Sequence, residues 1–441
     1  MTSTTAAEPL LIPIPGFWNF SLQDPDRVAI VDHDGSRITF GALRDRVNQL
    51  SHALRELAPG EDSQIAAVTS NRADFMTWVM ACAQIGVRYT PISSHLTEAE
   101  IAYIVQDSNS DAVFVDAITA AAAAPAARAS GLDADHVISM DPGLGMPTLD
   151  ELIAGQSTEL PPDRRTGTSM LYTSGTSGRP KGVKPDRREV IPEMAAMRIA
   201  GNLTRWGIDP LAEVGNGISL VTSPLYHAAP IAYTTLALHL GHTCVIMSRF
   251  DAMKSLELVE SERVTWMHVV PTMMKRWLDL DESVTRAMDL SSLRWIIHGA
   301  APCPVDVKRR TIEWLGPIVY EYYASTEAGG TSILPDDWLE HPGSVGRPWG
   351  EAAIRILSDD GKDLPTGEPG MIYMRNLRPF IYHNDPEKTA ASQADNGEFV
   401  TVGDYGYLDD NGYLWLLDRR TDLVISGGVN VYPAEIEATL L

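Results

Sequence analysis

The chain has 441 residues, a length typical of two or three domains, and its 44% hydrophobic and 21% charged residues are typical of a large globular protein. Its net charge of -23 argues against nucleic acid or an anionic membrane surface as the main partner. Apolar runs stop well short of the roughly 18 residues that a membrane span needs, and the N-terminus lacks the basic region of a secretory signal. We therefore expect a cytoplasmic protein without an integral membrane segment.

Apolar, β-rich runs alternate with helical stretches through the first two thirds of the chain. Gln64 to Thr69 and Ala112 to Val115 predict strands, and Ala73 to Gln84 predicts the helix between them. Such alternation favours parallel sheets covered by helices. The predicted fold class of this part is therefore α/β.

A loop rich in hydroxyls and glycine follows a predicted strand from Thr168 to Thr173. Its glycines let backbone N–H groups approach a phosphate, the hydroxyls add donors, and a lysine adds positive charge. A flexible Ser/Gly linker is the alternative, but the preceding strand and the closing Arg-Pro-Lys argue against it. The candidate phosphate-binding residues are Thr173, Ser174, Gly175, Thr176, Ser177, Gly178 and Lys181.

The pattern changes from about Pro342, where short strands are separated by turn sequences such as Asp359-Asp360-Gly361 and Asp409 to Gly412. This pattern predicts a small, mostly antiparallel β subdomain over residues 342–417. Near the end, Pro433 and Glu435 indicate the start of a helix, in which the sequence stops.

The phosphate loop resembles the signature loop of the adenylate-forming superfamily, which includes acyl-CoA synthetases, adenylation domains and luciferases. Further matches follow in the family's order, and together they cover the chain from about Tyr172 to its end. They are Pro224 to His227, Tyr323 to Glu327, Gly346-Arg347-Pro348, Gly403-Asp404, Asp418-Arg419, Ile425 to Gly428, and Pro433 to Glu437.

The resemblance implies a large N-terminal adenylation domain over residues 1–418. Two parallel-type sheets wrapped by helices would form it, together with a small β-barrel-like subdomain at about 342–417. Residues 419–441 would be the hinge and the start of a C-terminal lobe that is missing after its first helix. Because the family's lysine on that lobe lies beyond residue 441, we expect this chain alone to be weakly active; a homodimer is possible.

The resemblance also implies a reaction in which ATP activates a carboxylic acid. Thr326 would contact the α-phosphate, Glu327 would bind Mg²⁺, and Lys181 would contact phosphate oxygens, which are roles that suit a hydroxyl, a hard oxygen ligand and a cation. A solvated surface carboxylate is the alternative for Glu327. We count Thr326, Glu327 and Lys181, with His227, as the candidate catalytic residues.

For the nucleotide, the resemblance implies that Tyr323 stacks on adenine and that Asp404 accepts from both ribose hydroxyls, with Arg419 donating to the same sugar. A core role for Tyr323 and a turn-stabilising role for Asp404 are the alternatives. Further candidate nucleotide-binding residues are Gly299, Ala300, Ala301, Glu321, Tyr322, Ala324 and Ser325.

The segments that line the acyl pocket by resemblance contain small residues and neither an obvious cation nor a carboxylate for an amino group, which favours a roomy site for a bulky apolar acid. By resemblance, His227 lies at its mouth, although a core histidine is the alternative. The candidate acid-binding residues are Tyr226, His227, Ala228, Gly299, Ala328 and Gly329. The acid itself stays open among fatty, bile-acid-like and aromatic classes.

The predicted function is an AMP-forming acyl-CoA ligase, with ATP, Mg²⁺ and CoA as cofactors and Gly427 and Gly428 as candidate CoA-binding residues. Two alternatives remain, namely an enzyme that loads a carrier protein and a catalytically impaired module that binds acyl adenylates. Two departures from the family pattern are Ala324, where glycine is usual, and Thr421 at the hinge position.

Overall fold

The computed structural model describes residues 15–58, 60, 62–173, 180–186 and 190–417, with the backbone alone at 418–419, 424–426 and 429–431. Several predictions lie outside the described residues: those on Ser174 to Gly178 in the phosphate loop, on Gly427 and Gly428, on Thr421, and on the terminal helix from Pro433.

The larger of two parallel-type sheets has six parallel strands in its centre and antiparallel strands at both edges. Its central strands are mostly apolar and mostly buried, as expected for a sheet covered on both faces. Across the sheet, the strands are Arg347–Pro348, Gly330–Ile333, Val319–Ala324, Trp295–His298, Trp266–Val269, Ile218–Val221, Thr243–Ile246, Val28–Val31 and Arg37–Thr39.

The second sheet is parallel throughout, and its strands are Val137–Ser139, Ala112–Val115, Gln64–Val68, Arg88–Pro91 and Thr168–Ser169. The strands predicted at 64–69 and 112–115 and the helix predicted at 73–84 are therefore confirmed. The strand predicted over 168–173 is divided at Met170, because its two halves pair with different sheets.

Helices cover both sheets, and Thr39, Thr97 and Thr148 cap three of them by accepting a backbone N–H. The α-helices of the described chain are Phe17–Gln23, Phe40–Leu57, Ala73–Ile85, Glu98–Asp107, Ala120–Ala129, Leu149–Ile153, Pro192–Gly201, Ala228–His239, Ala252–Ser261, Pro271–Leu278, Glu282–Thr285, Val305–Leu315, Pro335–Glu340 and Pro386–Ala391. Short 3-10 turns span Ala134–His136, Asn202–Trp206 and Asp395–Gly397.

A mostly antiparallel β region follows, as predicted. It consists of Ile354–Leu357, Gly370–Arg375, Gln393–Ala394, Phe399–Val400, Asp404–Leu408 and Leu414–Arg419. A three-stranded sheet of Phe380–Tyr382, Lys181–Pro185 and Leu171–Thr173 joins this region to the phosphate-loop strands, and Val424–Ser426 pairs with Val429–Val431.

This architecture confirms the α/β fold class, with two parallel-type sheets, surrounding helices and a small β region. Among the helices of the described residues, none is both long and apolar enough to cross a membrane.

Candidate active site

The phosphate-loop strands form an antiparallel hairpin in which Thr173 and Lys181 are register partners. The Lys181 Nζ lies 3.0 Å from Asp385 Oδ2, and this contact raises the pKa of the lysine. Tyr172 donates to Asp107 Oδ2 at 2.7 Å, and Tyr103 donates to the Pro180 carbonyl at 3.2 Å. Both ends of the loop are thus held in place, and the lysine is charged.

Glu327 is a buried carboxylate, so the surface alternative considered for it is wrong. Its Oε1 accepts a hydrogen bond of 3.0 Å from the Tyr382 hydroxyl. Burial raises the pKa of Glu327, and the hydrogen bond from Tyr382 opposes that rise. A carboxylate oxygen is the kind of ligand that Mg²⁺ selects.

One short segment brings Glu327 and the phosphate loop together. Tyr382 is the register partner of Val183, two residues after Lys181, while its hydroxyl reaches Glu327. The Lys388 Nζ lies 4.1 Å from the Tyr382 ring centroid, and burial lowers the pKa of Lys388. Residues 380–388 therefore connect the candidate metal ligand to the candidate phosphate-binding lysine.

The candidate adenine and ribose residues lie in contact. The Tyr323 hydroxyl donates to Asp404 Oδ2 at 2.7 Å, and Asp404 is the register partner of Arg419 across two antiparallel strands. Gly330 permits this arrangement, since a Cβ there would lie 1.8 Å from the Tyr323 carbonyl oxygen. Thr326 is exposed in the turn between Tyr323 and Gly330, close in sequence to buried Glu327.

The segment that contains Gly299, a predicted wall of the acyl pocket, leaves less space than its small residues suggested. A Cβ at Gly299 would lie 2.7 Å from the Tyr322 ring, so the tyrosine occupies the space that the glycine leaves. The next residue, Ala300, adopts a left-handed φ of 67°, which is uncommon without glycine. The expectation of a roomy pocket is wrong at Gly299.

Tyr226 and His227 lie just before the helix Ala228–His239, with ring centroids 4.4 Å apart. His95 approaches Tyr226 edge-on, at 6.4 Å between centroids. His227 is exposed, so the core-histidine alternative is wrong. Ala328 packs partly buried against a cluster that contains Val183, Phe380 and Tyr382, and Gly329 follows it in the turn.

The Glu321 carboxylate is committed to a buried ion pair. Its Oε2 lies 2.7 Å from Lys308 Nζ and 3.5 Å from His298 Nε2, and all three side chains are buried. Burial raises the pKa of Glu321 and lowers the pKa of Lys308. The pair anchors the strand that carries Tyr322 and Tyr323, whereas the role of Glu321 in nucleotide binding stays a prediction.

Five residues of this region carry no sequence signal that could have identified them. They belong to none of the matched motifs, and their partners lie in other elements. They are Lys308, Tyr382 and Lys388, described above, and the pair Arg205 and Tyr233, in which Arg205 Nη2 donates to the Tyr233 hydroxyl at 3.1 Å.

A family profile described as "AMP-binding enzyme" matches residues 17–378. The chain therefore belongs to the AMP-binding enzymes, the adenylate-forming superfamily that its motifs predicted, and CoA synthetases are among its relatives.

The chain is 30% identical to the 2-succinylbenzoate–CoA ligase of Bacillus pumilus (strain SAFR-032), over 95% of this chain and 80% of that one. It is 31% identical to the long-chain-fatty-acid–CoA ligase FadD13 of Mycobacterium tuberculosis, over 92% and 78%. It is 27% identical to the fatty acid–[acyl-carrier-protein] ligase ScoC of Streptomyces coeruleorubidus, over 96% and 80%. ATP-bound MatB from Rhodopseudomonas palustris superposes with a TM-score of 0.80 at 28% identity, over 96% and 82%.

Proposed function

We propose that this protein activates a carboxylic acid with ATP and transfers the acyl group to CoA. In the first step a carboxylate oxygen attacks the α-phosphorus and pyrophosphate leaves; in the second a thiol attacks the acyl carbon and AMP leaves. The observation that carries the proposal is the convergence of Glu327 and Lys181 on residues 380–388.

Each charged group has a use in the first step. Negative charge moves onto phosphate oxygens as the acid attacks, so positioned cations and donors lower the barrier. We propose that Lys181 and Lys388 bind the pyrophosphate portion and that Thr326 donates its hydroxyl to the α-phosphate. Mg²⁺, held by Glu327 together with phosphate oxygens, would neutralise developing charge.

Asp404 and Tyr323 would hold the nucleoside. The carboxylate has two oxygens, so it can accept from the ribose hydroxyls, and the tyrosine ring offers a face for adenine. We propose a reorientation in which Tyr323 releases the Asp404 oxygen on binding.

Removing the Asp404 carboxylate should weaken ATP binding. Because hydrogen bonds to a charged group contribute about 1.5 to 3 kcal/mol each, Asp404→Ala should raise the Kd for ATP by at least about tenfold. Tyr323→Phe keeps the ring and should change the Kd far less. Isothermal titration with ATP tests both variants, and an unchanged Kd in Asp404→Ala would return this residue to turn stabilisation.

For the acceptor, we propose CoA, since two of the three relatives named above are CoA ligases. The relatives act on chemically different acids, so similarity leaves the acid open. Mass spectrometry of reactions containing ATP, an acid panel and either free CoA or a phosphopantetheinylated carrier protein tests the acceptor. Acyl-CoA should form; acylation of the carrier alone would overturn this choice.

A further inference from the structure

Arg205 is a partly buried cation among aromatic rings. It lies in the 3-10 turn Asn202–Trp206, and its Cζ is 4.9 Å from the ring centroid of Trp206, 4.5 Å from that of Trp349 and 5.9 Å from that of Tyr322. Its Nη2 donates to the Tyr233 hydroxyl at 3.1 Å. Among the described residues it has no carboxylate partner, and its buried Nε has no hydrogen-bond acceptor.

This position lies between two walls of the candidate acid site. Tyr233 belongs to the helix Ala228–His239, which begins directly after His227. Tyr322 precedes the adenine candidate Tyr323, and its ring occupies the space beside Gly299. Arg205 thus contacts both the helix that begins after His227 and the tyrosine that packs beside Gly299.

The aromatic side chains that contact Arg205 also carry polar groups. The Tyr322 hydroxyl is hydrogen-bonded to His268 Nε2 at 3.0 Å, and the Tyr233 ring stacks on His268 with centroids 4.7 Å apart. Burial lowers the pKa of His268 to about 3, so its ring is neutral. The buried His268 Nδ1 has no hydrogen-bond partner within the described part of the chain. Arg205 therefore provides the positive charge of this group of five side chains: Arg205, Tyr233, His268, Tyr322 and Trp349.

A guanidinium stacked on aromatic rings presents its N–H groups along its edge, which matches the two oxygens of a carboxylate. Leaving such a cation half-buried without a counterion is unfavourable, and an anionic ligand relieves that cost. The surrounding rings suit a flat or apolar body that connects the two ends of a ligand.

We propose that Arg205 binds a second carboxylate, at the end of the acid remote from the reacting one. The substrate class is then a dicarboxylic acid with an apolar, preferably aromatic, body. This inference rests on the proposed adenylation function and replaces the purely apolar acid expected from the small-residue segments. Arg205 is a specificity-determining residue here and takes no part in the attack on ATP.

Matched acids test the assignment through acid-dependent exchange of labelled pyrophosphate into ATP. The pairs are 4-phenylbutanoate against its ortho, meta and para ring-carboxylated analogues, and octanoate against suberate. The unmodified protein should use at least one dicarboxylate with a kcat/KM about tenfold or more above that of the matching monocarboxylate. Arg205→Met should lower that kcat/KM by about 10- to 100-fold, mainly through KM, and should leave the kcat/KM for the monocarboxylate within about threefold of its unmodified value.

Arg205→Lys keeps the charge without the planar fork and should retain part of the preference. Arg198→Met removes an exposed arginine from the neighbouring helix and should change nothing. ATP titration and thermal unfolding of each variant report whether it is folded. If the monocarboxylates support exchange and no dicarboxylate is preferred, the inference is overturned while the proposed function stands. If no acid supports exchange, the proposed function fails and the inference fails with it.

Discussion

Replacing Glu327 with glutamine should lower kcat/KM for acid-dependent pyrophosphate exchange on the order of 10²- to 10³-fold, the usual cost of removing a group that stabilises transition-state charge. Glutamine keeps the size of the side chain and can still accept from the Tyr382 hydroxyl, so the fold should persist. The loss is specific to the negative charge, because an amide oxygen is a much weaker ligand for Mg²⁺. Exchange measured over a Mg²⁺ titration should show a higher Mg²⁺ requirement in the variant.

Two variants serve as controls for this prediction. Glu368→Gln lies in an exposed turn and should leave exchange unchanged, while Tyr382→Phe should produce a smaller loss because the carboxylate remains. An unaltered Mg²⁺ dependence in Glu327→Gln would disprove the assignment of the metal ligand.

The pH dependence provides a separate test of Glu327. Burial raises its pKa above the ordinary glutamate value of about 4.3, so the carboxyl is neutralised at a higher pH than an exposed glutamate. Only the ionised form binds Mg²⁺ well, and Mg²⁺ binding releases the proton. The Mg²⁺ concentration required for half-maximal exchange should therefore rise as the pH falls through the raised pKa. In Glu327→Gln, this contribution to the pH dependence should disappear.

Breaking the buried Lys308–Glu321 pair should have the largest effect on stability. Lys308→Met leaves an uncompensated buried carboxyl group, and losing one partner of such a pair costs about 3 to 5 kcal/mol in free energy of unfolding. The Lys308 Nζ also lies 4.7 Å from the Trp338 ring centroid, a contact that methionine replaces with apolar packing. Urea unfolding followed by circular dichroism and tryptophan fluorescence measures the change.

The double variant Lys308→Met/Glu321→Gln distinguishes the pair from simple packing. Removing both charges should recover much of the lost stability, since the remaining site has no buried ion. Lys254→Met is the matched control: it breaks an exposed pair with Glu257 and should cost about 1 kcal/mol or less. If Lys308→Met is as mild as Lys254→Met, or if the double variant is less stable than the single one, the assignment is wrong.

The fold could be predicted from the sequence where a pattern is local. The strands at 64–68 and 112–115 are short apolar runs, and the β region after residue 342 is marked by its turns. The family resemblance also predicted that Tyr323 and Asp404 bind the same nucleotide, and their side chains are hydrogen-bonded to each other. Neighbouring residues sufficed for the strands and turns because each forms within a short stretch, whereas Tyr323 and Asp404 are 81 positions apart and only the family resemblance linked them.

The rest depends on contacts between distant elements. Arg205 reaches Tyr233 across 28 positions, and Tyr382 reaches Glu327 across 55. No periodicity within a helix or strand encodes such contacts, because sheet order decides which elements become neighbours. The expectation of a roomy pocket was wrong at Gly299 for the same reason. The ring that fills the space there is that of Tyr322, which lies on the adjacent parallel strand.

The most direct test of the central claim is acid-dependent exchange of labelled pyrophosphate into ATP, measured without CoA. This exchange requires reversible formation of an acyl adenylate and no later step. The account predicts exchange that needs both Mg²⁺ and a carboxylic acid, and that falls strongly in Glu327→Gln. Failure of every acid in the panel to support exchange by a folded protein that binds ATP would contradict it.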